Sequence, residues 1–348
     1  MKILHITSDT KPGGIQNAFE AYLSVLSAMP QFENIYFTPN RVPFYERQYN
    51  ARHLHMSWMQ KTLLRRAAYL PIQRLHRHSF EIGLAHNGFI CASIQKYCKH
   101  VIGICHNDKP AQFKDADHLI CLTPNAVQQA KELGRANNTI HMLPHYFEPQ
   151  TKSSVTSNPS IQANPKVTIG AAGRFVEKKG FKTFIDAAAK IRREYPETEF
   201  LLAGDGSLST QLRSYAEQSG NPVRFTGWVD IENFAPSIDI FCLPSLDEPF
   251  GYILAEMMHH GVAVIATRTN GPLWICEEDE NALFFQPSDS NELAHCLRTL
   301  ITDPQKRLRY QHNAKKAIND KRFSKQAFAE HLFSIISKIT KNQSYNQS

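Results

Sequence analysis

The feature that most constrains this chain is the order in which it opens: a short apolar run empties into a glycine loop, and a helix follows. Lys2–Ile6 is apolar enough for a buried strand and leads into Thr7-Ser8-Asp9-Thr10-Lys11-Pro12-Gly13-Gly14. From about Ile15 to Met29 the residues Phe19, Tyr22, Leu23 and Leu26 fall on one side of a helix. Strand, glycine loop and helix in this order begin a parallel α/β domain, and the opening residues read as a first strand rather than a signal peptide. Apolar runs recur at Ile82–Ala85, Val101–Cys105 and Leu119–Leu122. Between Pro149 and Pro165 the composition turns to Ser, Thr, Asn, Gln and Pro, a linker signal. The α/β rhythm then restarts. Val167–Ala171, Phe200–Ala203, Ile238–Leu243 and Ala263–Ala266 read as strands, and Phe181–Glu194 as a helix that turns Phe184, Ile185, Ala188 and Ile191 inward.

A length of 348 residues suits two such domains. The expected division is a domain over 1–148, a linker over 149–166, a second domain over 167–318, and a C-terminal helix and tail over 319–348. The helix is expected to pack back on the first domain. A cleft between two doubly wound sheets is the usual ligand site. The formal charge is +7, with 16 basic and 10 acidic residues in 1–150 against 23 and 22 in the remainder. Such an excess suits nucleic acid, an anionic membrane or a phosphate-bearing substrate. No nucleic-acid recognition module supports the first. Seven cysteines without a C-x-x-C pair read as scattered reduced thiols of a cytoplasmic protein, and no apolar run is long enough to span a bilayer.

Two segments carry chemistry. In Pro244-Ser245-Leu246-Asp247-Glu248-Pro249-Phe250-Gly251-Tyr252-Ile253-Leu254-Ala255-Glu256, a strand ends in a loop and a helix begins behind Pro249. Glu248 would stand at the helix mouth and Glu256 in its second turn, beside the unpaired N–H groups of the first turn. The bland alternative makes Glu248 a cap and Glu256 a solvated helix residue. In Gly173-Arg174-Phe175-Val176-Glu177-Lys178-Lys179-Gly180, Arg174 and Lys179 converge before a helix start. That is either a diphosphate clamp or a solvated basic turn.

Together these segments resemble the retaining GT-B nucleotide-sugar glycosyltransferases of family 4, the glycosyl transferases group 1. The resemblance covers nearly the whole chain and is closest in 167–275. There G-R-F-V-E-K-K-G, L-L-A-G-D-G, F-T-G-W-V and E-P-F-G-Y-I-L-A-E stand in the family's order. It implies two Rossmann-like domains facing across a cleft. It also implies that Arg174 and Lys179 hold the donor diphosphate, that Glu256 takes the ribose hydroxyls, and that Glu248 with the backbone of Phe250 and Gly251 holds the sugar. Val229 falls where the family's backbone meets the base. Gly13 and Gly14 would offer backbone N–H groups to the donor phosphates or the acceptor, and His106 would hydrogen-bond the donor hexose near the reacting carbon. Catalytic roles then fall to His106, Glu248, Arg174 and Lys179. No metal and no cofactor are implied, since the nucleotide-sugar is a substrate.

Asp115-Ala116-Asp117 spells the D-x-D of metal-dependent transferases, but its surroundings match this family's non-metal pattern. Pro144-His145-Tyr146 stands where relatives usually read Pro-Asn-Gly, and Trp274 stands where they commonly carry an acid. The basic excess centres on Gln60–His78, where Lys61, Arg65, Arg66, Arg74 and Arg77 interleave with leucines and no acid. This stretch is either an ordinary exposed helix or a contact for an anionic membrane or lipid-linked glycan. The resulting expectation is a retaining hexosyltransferase moving sugar from a UDP- or GDP-sugar to a glycan or glycolipid acceptor, as in lipopolysaccharide or surface polysaccharide synthesis. Its place would be cytoplasmic, or peripheral on the inner membrane face. The alternatives are a nucleotide-sugar epimerase and a non-catalytic sugar-nucleotide or nucleic-acid binding protein.

Overall fold

The computed structural model describes residues 1–8, 14–38, 42–54, 79–147 and 166–341. Gly13, the basic residues Lys61, Arg65, Arg66, Arg74 and Arg77, and linker residues 149–165 lie outside the described residues. The chain divides into two units, one of Met1–Tyr146 with Lys325–Ser348 and one of Phe147–Ser324. Each is a parallel α/β unit with a doubly wound sheet.

The strands of the first unit are β1 (Lys2–Ile6), β2 (Glu33–Phe37), β3 (Arg52–His53), β4 (Phe80–Ala85), β5 (Cys98–Cys105), β6 (His118–Cys121) and β7 (Ile140–Met142). Their order in the sheet is β3-β2-β1-β4-β5-β6-β7, all parallel. The central strands are apolar almost throughout because helices cover both faces. One face packs Leu4, Ile6, Val101 and Leu119 with Ile90 and Ala126. The other packs Ile3, Ile82, Ile102, Ile104 and Ile120 against Tyr22 and Leu26. The helix Lys325–Lys341 closes this second face with Phe328, Leu332, Ile335, Ile336 and Ile339. Its apolar residues recur at helical spacing and face this core.

The exchange between units falls at 324/325, beyond the 318/319 boundary expected from the sequence. Lys321–Phe323 stays with the second unit because Phe147 N–H donates to the Phe323 carbonyl at 2.9 Å and the Arg322 guanidinium lies 5.9 Å from the Trp274 ring centroid.

The second unit contains β8 (Thr168–Ala172), β9 (Glu199–Ala203), β10 (Arg224–Gly227), β11 (Ile240–Leu243), β12 (Ala263–Thr267) and β13 (Ala282–Phe285), ordered β10-β9-β8-β11-β12-β13. The strand order reverses between β1 and β4 in the first sheet and between β8 and β11 in the second. Loops leaving those strand ends diverge to opposite faces, which opens a crevice in each unit. In the second unit the segment Gly173–Gly180 follows β8 and the segment Pro244–Gly251 follows β11.

Several expected strands begin earlier than their apolar runs. β4 starts at Phe80 and β5 at Cys98, because main-chain pairing continues where the side chains turn polar. β2, β3, β7, β10 and β13 were not among the strands expected from the sequence. All seven cysteines are free and buried, and burial raises the Cys242 and Cys276 thiols well above their ordinary range. Among the described residues no helix is long and apolar enough to cross a membrane.

Candidate active site

The loop after β8 begins with Gly173, continues through exposed Arg174, and makes one tight turn over Glu177–Lys179. Gly180 then adopts a left-handed conformation at φ 63° and starts the helix Phe181–Glu194. A Cβ at position 180 would lie 2.0 Å from the Pro244 carbonyl oxygen in the loop after β11. The Leu246 N–H also donates to the Lys178 carbonyl at 2.8 Å. The two loops at the strand-order reversal are therefore joined through their backbones, and the joint needs a glycine for both space and φ. Gly180→Ala is expected to destabilise the protein by about 2–4 kcal/mol and to lower activity. Urea unfolding with a parallel turnover assay checks this; wild-type stability would contradict the joint.

This junction brings Lys179 to Glu248. Lys179 Nζ lies 2.5 Å from Glu248 Oε2, with the two side chains 17% and 11% exposed. Ser245 Oγ donates to the same oxygen at 3.0 Å, and Thr267 Oγ1 donates to the Ser245 carbonyl at 2.6 Å. The Glu248 carbonyl accepts from Gly271 N–H at 2.8 Å. Gly271 sits so close to Phe250 that a Cβ there would be 2.2 Å from the Phe250 carbonyl oxygen. Gly251, at φ 94°, then opens the helix Tyr252–His259. Glu248 is thus held on both its carboxylate and its backbone. From the sequence, Lys179 and Glu248 read as groups for different parts of a substrate; the fold instead pairs them directly. Ser245 was missed, although its S-x-x-E spacing to Glu248 is the signature of a local cap.

The ends of β8, β9 and β10 are tied together beside this pair. Gly173 N–H donates to the Ala203 carbonyl at 3.0 Å, Phe175 N–H to Asp205 at 2.8 Å, and Gly204 N–H to Gly227 at 2.7 Å. Gly204, at φ 132°, passes so close that a Cβ would be 1.9 Å from the Gly173 carbonyl oxygen. Beyond β10, Trp228 is 68% exposed and Val229 is half-buried.

Glu256 lies in the second turn of the helix Tyr252–His259 and is half-buried. Burial, followed by the nearby Glu232 carboxylate, pushes its carboxyl up to about 7. Glu232 Oε1 is 3.6 Å from His260 Nε2. Glu232 and His260 had no sequence signal, because their relation to Glu256 arises only when the short helix Ile231–Phe234 is placed. Trp274, which stands where relatives of the resembled family commonly carry an acid, packs. Its ring lies beneath the Arg322 guanidinium, and its Nε1 is buried without a hydrogen-bond partner among the described residues.

In the first unit Gly14 is the exposed first residue of the helix Gly14–Ser27. Asn87, just after β4, holds the residues that follow β1: Asn87 Oδ1 accepts from Thr7 Oγ1 at 3.0 Å and Ser8 N–H at 2.8 Å. His106 follows β5, and both its ring nitrogens are engaged. Nε2 is 2.9 Å from His86 Nδ1, and Nδ1 is 3.3 Å from His145 Nε2. Burial holds His106 down to about 3, so its ring is neutral. A sugar hydroxyl could bond this ring only by replacing one of the two histidines. Asp117 of the D-x-D spelling accepts the Val101 N–H at 2.7 Å midway along β5, a structural tie away from the strand ends that carry the other candidates.

A cation beside a carboxylate, glycines that admit a ligand to the backbone, and a protonatable acid at a helix start can together hold an anion and a polyol. Residues 156–317 match the family of glycosyl transferases group 1. That segment contains Arg174, Lys179, Val229, Glu248, Phe250, Gly251 and Glu256. The chain is 25% identical over 347 residues to the lipopolysaccharide core biosynthesis glycosyltransferase LpsD of Rhizobium meliloti (strain 1021), covering 95% of this chain and 96% of LpsD. It is 28% identical over 221 residues to LpsE of the same organism, a protein of the same description, covering 63% of each chain. Among solved structures, Anabaena Alr3699/HepE in complex with UDP and glucose superposes with a TM-score of 0.76 at 18% identity, over 97% of this chain and 100% of that one. The fold is therefore that of the GT-B glycosyltransferases, and the residues matched by the family lie within its second unit.

Proposed function

We propose that the chain is a retaining, metal-independent hexosyltransferase that moves a sugar from a UDP- or GDP-sugar to a glycan or lipid-linked acceptor, in lipopolysaccharide core or surface polysaccharide synthesis. The observation that carries this reading is the Lys179–Glu248 pair at the strand-order reversal of a group 1 domain, with Arg174 on the same loop as Lys179. The names of LpsD and LpsE support the acceptor class, and the UDP and glucose of HepE support the donor class.

In this reading the nucleoside diphosphate is the leaving group, and negative charge grows on its β-phosphate as the bond to the sugar breaks. Arg174 and Lys179 stabilise that charge electrostatically. Lys179 can do so only by sharing its ammonium between Glu248 and the phosphate, so Glu248 sets where the ammonium stands. Glu256 ionises to accept the two ribose hydroxyls, and Val229 meets the base. The acceptor hydroxyl attacks from the face the diphosphate leaves and passes its proton to a phosphate oxygen. Glu248 orients the sugar without bonding to it. The basic stretch from Gln60 to His78 would draw the protein to an anionic membrane surface.

A thermal-shift panel of UDP-, GDP- and ADP-sugars tests the donor. The true donor at 100 times its Kd adds about 2.7 kcal/mol of stability. That donor is then offered with truncated lipopolysaccharide and with lipid-linked glycans, with and without EDTA, and the anomeric configuration of the product is read by NMR. Transfer with retention that survives EDTA is expected. Stabilisation by none of the donors, or isomerised donor without any transfer, would overturn the proposal.

A further inference from the structure

The second half of the chain is close to neutral only as a total. Between Pro304 and Arg322 stand seven basic residues and one acid, whereas the rest of 151–348 holds 16 basic and 21 acidic residues. The seven lie on the helix Pro304–Ile318 and the short turn Lys321–Phe323 behind it. Tyr310, Ala314 and Ile318 are the buried residues of this helix. At about 100° per residue, Arg309, His312 and Lys316 fall within about 60° of one another on the opposite side, and all three are exposed. Lys315 and Lys321 are exposed beside them.

Much of this charge is not answered within the protein. Lys306 pairs with Asp279 at 3.6 Å, and Arg307 donates to the Leu300 carbonyl at 2.8 Å. The acidic residues 277–280 reach the helix on the Lys306 flank, where Tyr310 donates to Asp279 and Asn313 to Glu280. Arg309, Lys315, Lys316 and Lys321 have no ion-pair partner among the described residues. Arg309 and Lys316 stand about 10 Å apart along the helix axis, too far to close on one phosphate. Cations spread over one convex face fit a plane of anionic headgroups, each of which can be met separately. A nucleic-acid major groove instead encloses a helix on both flanks. Here the flanks meet the acidic residues 277–280 and the helices Tyr252–His259 and Ser290–Thr302. The helix exposes no large apolar side chain, so contact with a bilayer is electrostatic and needs no insertion.

We propose that Arg309, His312 and Lys316, with Lys315 and Lys321 beside them, form an electrostatic docking face for an anionic phospholipid bilayer. The choice of a bilayer over another extended polyanion rests on the lipid-linked acceptor of the reading above; the charge and exposure of the face do not. Each cation near such a surface strengthens partitioning about fivefold. Salt screens the attraction within about 8 Å at physiological ionic strength, so binding weakens steeply as salt rises.

The test floats the full chain with vesicles of phosphatidylcholine alone, or with about 30% phosphatidylglycerol added, at low and high salt. The wild type is expected to bind the anionic vesicles only and to leave them at high salt. Arg309→Gln with Lys316→Gln is expected to weaken that binding about 25-fold. Its melting temperature should stay within about 2 °C of the wild type, since both side chains are exposed. Arg213→Gln with Arg224→Gln removes the same charge from exposed positions on and over β10. This second pair is expected to change binding less than about threefold. Equal losses in the two pairs overturn the proposal, because net charge then suffices. Absence of wild-type binding to the anionic vesicles overturns it, as does undiminished binding by the first pair, which leaves the contact to another surface. Tighter wild-type binding to duplex DNA than to the anionic vesicles overturns it in favour of a nucleic-acid partner. A wild type that binds vesicles but transfers from no sugar nucleotide would instead sink the functional reading and leave this face standing.

Discussion

Lys179→Met is expected to lower kcat at saturating donor by about 10²–10³-fold. Methionine keeps most of the apolar stem and removes only the ammonium, so the loss reports charge stabilisation rather than shape. The substitution also strands the Glu248 carboxylate, which is 11% exposed and loses its partner at 2.5 Å. Leaving one member of such a pair costs about 3 kcal/mol, with some of that recovered by water at the edge of the site. Adding Glu248→Gln to Lys179→Met should return most of the stability and none of the turnover. Two readouts thus separate a folding role from a chemical one. Urea unfolding gives the first and product formation the second. Near-normal turnover of Lys179→Met at saturating donor would remove Lys179 from the chemistry.

Glu256→Gln is expected to stabilise the free protein while weakening donor binding. The carboxyl is raised from 4.5 to about 7 by burial and by Glu232. Below about pH 4.5 the side chain is protonated whether the chain is folded or unfolded, and it costs nothing. As pH rises from there toward 7, the unfolded chain ionises first and folding stability falls. Above 7 the loss is complete, at about 3 kcal/mol. The gain from glutamine should therefore grow from about 1 kcal/mol at pH 5.5 to about 3 kcal/mol at pH 8. Donor affinity should move the other way, because glutamine cannot accept from two ribose hydroxyls as a carboxylate can; a 10–100-fold weaker Kd at pH 8 is expected. Denaturant melts at the two pH values and titration calorimetry measure both. A stability gain independent of pH would mean that Glu256 is already ionised in the folded protein.

Much of this arrangement is visible in the chain itself. The helix Phe181–Glu194 has the bounds its apolar spacing predicts, because fourteen residues contain enough turns to define a face. The loops that carry Arg174, Lys179 and Glu248 were legible because glycine, proline and charge gather where an apolar run stops. Ser245 could have been read from its spacing to Glu248. Glu232, His260, His86 and His145 could not, since each meets its partner only across a long stretch of sequence.

The sequence by itself determined that the chain forms two parallel α/β units and which residues stand at their strand ends. Those properties follow from local periodicity and turn chemistry, which neighbouring residues settle among themselves. Only the tertiary structure decided which strand ends are adjacent. That choice pairs Lys179 with Glu248 across 69 positions, sets Glu232 near Glu256, and lines up His86, His106 and His145. The physical reason is that charge pairing, desolvation and ring packing all depend on distances of a few ångströms, and sheet order sets those distances.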